Sequence, residues 1–142
     1  MASYDTERLG KIFSDIERYG NDLSSMGIKS VKSLEDKKTF YSTSMLLFSI
    51  INRTIDLGEE VIAANNLGIP DTYKDIFFLL FRGKVINKAM MQKLSGLSHY
   101  RNLFSHNYQD FGETEVYDAF REIGVVNEFV KRVKAKIRKN RA

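Results

Sequence analysis

The chain of 142 residues has the length of one ordinary domain, and 43% hydrophobic with 28% charged residues is the composition of a globular fold, which excludes disorder throughout. It contains no cysteine, which excludes disulfides, thiolate metal sites and cysteine nucleophiles and suits a reducing compartment. The net charge of +4 is uneven: residues 131–142 hold seven basic side chains and no acidic one, so the remainder is net acidic by three.

That basic end has two readings. It is a solvated helix terminus, where cations also favour the helix dipole, or an arm that attracts the phosphates of nucleic acid. In the second reading Lys134, Lys136, Arg138 and Lys139 are the candidate RNA contacts. Residues 1–18 alternate charged and apolar side chains and lack the apolar core of a signal peptide. The densest apolar runs, 45–51 and 76–81, fall far short of the roughly 20 residues of a membrane span. A cytoplasmic protein without membrane contact is expected.

Helical periodicity dominates. Leu9, Ile12, Phe13, Ile16 and Tyr19 predict a first helix over about 5–23. Ser33 with Asp36 three residues later resembles a capping box opening a second helix that runs to about residue 66. Its apolar residues, from Leu46 to Ile62, cover most of the circumference, as in a central buried helix. Gly68 and Pro70 are read as its stop. Thr72 with Asp75 restarts the chain as a short third helix over 73–82, ended by Gly83. Asn87 caps a fourth helix reaching about residue 108, in which Gly96 suggests a close helix crossing. After Gly112 a fifth helix follows from about residue 114, with Phe120, Ile123, Val126, Val130, Val133 and Ile137 as its stripe. The expectation is an all-α antiparallel bundle of about five helices, one domain over 1–142 with the basic end at 131–142.

Function is sought where polar chemistry clusters. Two histidines are too few for a histidine-rich metal site. Asp56, Glu59 and Glu60 match no known ligand spacing, so no metal and no cofactor is expected. The fourth helix is more informative. At about 100° per residue, Leu97, Tyr100, Leu103, Phe104 and Phe111 share one arc of about 120°. Arg101, Asn102, Ser105, His106 and Tyr108 share a separate arc of about 160°. The first arc reads as core. The second gathers a permanent cation, a titratable imidazole, an amide and a phenol. That set suits phosphodiester chemistry, because arginine offers a fork for phosphate and histidine exchanges protons near neutrality. An ordinary solvated helix face shows the same spacing.

Arg101 directly followed by Asn102, then His106 and Tyr108, resembles the signature of the HepT-like toxins within the HEPN ribonucleases. The likeness extends over about residues 38–112 and includes Leu67-Gly68-Ile69-Pro70-Asp71-Thr72-Tyr73. Tyr100 stands where phenylalanine is common, and the C-terminal end is more basic than the pattern. The resemblance implies a HEPN fold, a two-fold homodimer with a composite cleft, and metal-independent RNA cleavage through 2′-hydroxyl attack. Arg101 would stabilise the transition state, His106 act as general acid or base, and Asn102 position the phosphate. It further implies an MNT-type nucleotidyltransferase antitoxin that transfers AMP to Tyr108. A different class remains open: a non-catalytic nucleotide- or substrate-binding subunit of a nucleotidyltransferase.

Overall fold

The computed structural model describes residues 2–106 and 111–141, without the side chains of His106 and Arg141. Among these residues the chain forms six α-helices: α1 (Thr6–Ser25), α2 (Lys37–Asn65), α3 (Tyr73–Arg82), α4 (Lys88–His106), α5 (Glu113–Glu122) and α6 (Val125–Arg141), with one 3-10 turn at Val31–Leu34. The all-α class expected from the sequence is the observed one. The expected fifth helix is divided at Ile123 and Gly124, because glycine weakens the helix while the apolar stripe continues across the break.

The helix ends follow local hydrogen-bond chemistry. Asp5 accepts from the Arg8 amide and opens α1. The expected Ser33–Asp36 capping box does not form. Asp36 itself caps α2, accepting from the backbone and hydroxyl of Thr39, and these bonds hold its carboxyl below its ordinary value. Ser33 accepts instead from the Lys29 amide. Likewise α2 ends before Gly68: Asn66 takes the left-handed conformation, φ 52°, that closes it. Both halves of the Thr72–Asp75 box are present, and Asn87 accepts from the Met90 amide to open α4.

The helix α2 is the axis of the bundle, touched by α1, α3, α4 and α5. Leu47, Ile50, Ile51, Ile55, Leu57, Val61 and Ile62 are buried along it. Against α1 it runs antiparallel, fastened at one end by Tyr4 and Asn65, 2.9 Å apart. Midway, Arg53 donates through Nε and Nη2 to Asp15 Oδ2 at 2.9 and 2.6 Å and through Nη1 to Asp56 at 3.1 Å. Against α3 it comes close enough that glycine is required. A Cβ on Gly58 would stand 2.6 Å from Ile76 Cγ2. Gly96, read from sequence as a crossing point, has nothing within 4 Å of the corresponding position. The remaining core is closed by α6, where Phe129 meets Phe77 edge-on at 6.2 Å.

The two glycines should respond oppositely to alanine. Gly96→Ala gains helix propensity with no clash and should raise stability by roughly 0.5–1 kcal/mol. At Gly58 overpacking costs about 1–3 kcal/mol, more than the propensity gained, so Gly58→Ala should lower stability. Urea unfolding of both variants measures the two signs, and a stabilising Gly58→Ala would contradict the close α2–α3 packing.

Candidate functional site

Arg101 stands in the last turns of α4, facing the crevice between α2 and α3. This departs from the two-arc reading of that helix. Leu97, Phe104 and Phe111 are buried as expected, with Tyr100 and Leu103 half-buried. Arg101, however, is half-buried too, because α4 has neighbours on both sides. Its Nε donates to Asn52 Oδ1 at 3.2 Å, and its Nη1 donates to Ser105 Oγ at 3.4 Å. The Ser105 hydroxyl in turn donates to the Asn102 carbonyl. The guanidinium carbon lies 5.7 Å from the Phe48 ring centroid and 5.4 Å from that of Tyr73.

These four neighbours orient the cation without neutralising it. Two aromatic faces attract it through their quadrupoles, and an amide and a hydroxyl fix its plane. Among the described residues no carboxylate pairs with Arg101, whereas Arg8, Arg18 and Arg53 are all ion-paired. Among the described residues Nη2 has no partner, and a phosphate placed there would receive a forked pair of hydrogen bonds.

The other signature residues follow along the helix. Asn102 is exposed, one residue on, and His106 is the last residue of α4. Tyr108, the candidate AMP acceptor, lies outside the described residues. Tyr100 packs against Phe104 at 5.6 Å, and burial, with the nearby charges of Glu122, Asp118 and Glu115, pushes its phenol above the ordinary value. It stays a neutral packing residue at physiological pH.

The four basic candidates of α6 lie elsewhere. Lys134 stands over the Phe13 ring at 5.0 Å, and Lys134, Ile137 and Arg138 border α1. Lys136 is half-buried and Lys139 exposed. Where α6 borders α4 it does so over Asn87 to Gly96, with its cations Lys131 and Arg132 beside Asn87, Met90 and Lys93. Arg101 is about 12 Å further along the α4 axis from Lys93. The structure thus gathers Arg101, Asn102 and the end of α4 but does not bring the α6 cations onto Arg101. The acidic residues of α2 are engaged in ion pairs in part: Asp56 with Arg53 and Glu60 with Arg8.

Asn52, Phe48 and Tyr73 were not singled out by the sequence. The available signal was an amide set in an apolar stretch of α2, with a phenylalanine four residues before it on the same face. Nothing local tied either to an arginine 49 positions away.

The sequence matches the family described as ribonuclease HepT-like over residues 11–133. The chain belongs to that family. Its fold is similar to that of YutE from Bacillus subtilis, a cytosolic protein of unknown function, with a TM-score of 0.86 and 18% identity over 99% of this chain and 95% of the other. It is also similar to the tri-AMPylated Shewanella oneidensis HEPN toxin solved in complex with MNT antitoxin: TM-score 0.79, 22% identity, 89% of this chain and 96% of that one. A toxin–antitoxin structure with AMP-PNP matches with a TM-score of 0.80 and 20% identity, over 88% and 96%. At these identities the likeness is one of fold. No curated protein matches the sequence. No helix among the described residues of this HepT-like chain is long and apolar enough to cross a membrane.

If Asn52 holds the guanidinium plane, Asn52→Ala should let the Arg101 Nε proton exchange with water about five- to tenfold faster, the factor expected for one lost hydrogen bond of about 1 kcal/mol. Nitrogen-15 side-chain resonances report that rate directly. An unchanged rate would mean that the two rings and Ser105 fix Arg101 without Asn52.

Proposed function

We propose that this HepT-like chain is the toxin of a type II-like toxin–antitoxin pair, a metal-independent endoribonuclease that works as a homodimer. The observation supporting this reading is an arginine whose partners among the described residues are all uncharged, on the helix that ends in His106, within a family of ribonucleases. An RNA phosphate seats on Arg101, and Asn102 orients it. The ribose 2′-hydroxyl loses its proton to a general base and attacks the adjacent phosphorus. The bond to the 5′-oxygen breaks, that oxygen takes up a proton, and a 2′,3′-cyclic phosphate remains. Arg101 stabilises the charge gathering on the non-bridging oxygens. His106 is the proton carrier, and two-fold symmetry supplies a second copy, so that one base and one acid face the same bond. Lys134, Lys136, Arg138 and Lys139 add a salt-dependent attraction for RNA.

The partner in this reading is an MNT-type nucleotidyltransferase antitoxin that transfers AMP to Tyr108. The added phosphodiester carries a negative charge that competes with and repels the substrate phosphate bound by Arg101. The resulting block needs no change of fold.

Inducible expression of wild type, His106→Ala and Tyr108→Phe, with growth and total RNA followed together, tests both parts. Wild type should arrest growth and leave fragments ending in 2′,3′-cyclic phosphate. His106→Ala should lose cleavage by about a hundredfold or more, as removal of a general acid–base group does. Tyr108→Phe should cut RNA and resist neutralisation by the antitoxin. Intact RNA with unmodified, folded wild type would favour the non-catalytic nucleotide-binding subunit instead.

A further inference from the structure

Beside Arg101, between the N-terminal half of α2 and the end of α4, lies a cavity of about 240 Å³. Its walls are Tyr41, Met45 and Phe48 from α2, with Phe104, Ser105 and Phe111 opposite. Tyr41 and Met45 are large apolar side chains left 61% and 63% exposed, which the core does not require. The floor is a run of rings: Phe104 and Phe111 with centroids 4.9 Å apart, and Phe111 stacked on Phe40 at 5.9 Å.

Two of the lining residues also touch the guanidinium. Phe48 lies under Arg101, and Ser105 accepts from its Nη1. The cavity and Arg101 are therefore halves of one surface, the first largely apolar, the second cationic. A ligand that fills both carries an aromatic ring system next to an anion. The volume is below the roughly 300–1,000 Å³ of sites for drug-sized ligands, and is on the scale of one base.

We propose that this cavity is a nucleobase subsite, in which a base of the RNA strand stacks on Tyr41 while its phosphate sits on Arg101. This rests on the ribonuclease reading for its choice of RNA as the source. A second copy of the chain is the other candidate occupant of an apolar groove. It would cover Arg101, whose partners among the described residues are an amide, a hydroxyl and two rings, and would itself have to bring an anion to it. A nucleotide brings the compensating charge with it. Stacking tolerates any base, so the subsite contributes affinity and register more than sequence choice. The contacts between copies in the homodimer then lie beside the groove, not over it.

The test needs no cleavage. Wild type and Tyr41→Ala, with methionine methyl groups labelled, are titrated with uridine 3′-monophosphate and separately with inorganic phosphate. The Met45 methyl should shift with the nucleotide and not with phosphate. Tyr41→Ala should weaken the nucleotide about tenfold, within the range seen for one lost base-stacking partner, and leave phosphate binding unchanged. Tyr41 is exposed, so helicity and the unfolding midpoint should be retained. The proposal is overturned if Met45 does not respond, if nucleotide and phosphate bind alike, or if Tyr41→Ala halves the mass in solution, which would assign the groove to a second copy. A chain that binds the nucleotide here but cuts no RNA keeps the subsite and loses the ribonuclease reading. A chain that cuts RNA with Met45 unmoved loses the subsite alone.

Discussion

Because α2 is enclosed by α1, α3, α4 and α5, each of its faces answers to a different neighbour. The apolar positions fill the core, Gly58 admits α3, and the polar positions must find partners across an interface or be left buried without one. Asn52 and Arg53 are consecutive residues of α2, about 100° apart on the helix. Arg53 turns to α1 and closes on Asp15, while Asn52 turns to α4 and closes on Arg101. One helix thereby sets both the pairing of the first two helices and the attitude of the candidate site.

The two arginines show how the same side chain serves opposite ends. Arg53 directs its donors to Asp15 and Asp56, and the hydrogen bond to Asp15 raises its affinity for the proton further. Its charge is cancelled locally, so it joins helices and attracts nothing else. Arg101 directs its donors to an amide and a hydroxyl. Its plane is fixed, and no carboxylate among the described residues cancels its charge. A group pre-oriented in this way gives up little further freedom when an anion arrives, which is the condition for strong stabilisation of charge that develops during a reaction.

Residue type and spacing made much of this legible. The Thr72–Asp75 box, the central helix and the Arg101–His106 helix can all be read locally, because caps and periodicity are properties of neighbouring residues. The errors came where two local signals competed or where a distant partner decided. Ser33 and Asp36 both offer a cap at nearly the same place, and the Asp36 carboxylate bonds two groups of Thr39 where a hydroxyl would bond fewer. Asn66 could adopt the left-handed conformation before Gly68 was reached. Gly58 and Gly96 are alike in sequence, and the close approach of α3 at Gly58, Ile76 above all, separates them. The Asn52, Phe48 and Tyr73 support of Arg101 depends on three helices meeting, and no periodicity within one helix contains that information.

The same reasoning divides the labour among the cations. Those of α6 are mostly exposed, Lys134 and Arg138 beside α1, so their attraction for an anion is screened within about 8–10 Å by ordinary salt. They can raise the local concentration of a polyanion without fixing where it stops. Arg101 is half-buried between two rings, where screening is weaker and direction is set. In the ribonuclease reading, a strand drawn in by the basic end takes its register only where a phosphate meets Arg101. In that reading salt weakens encounter more than it changes the seating of the phosphate at Arg101.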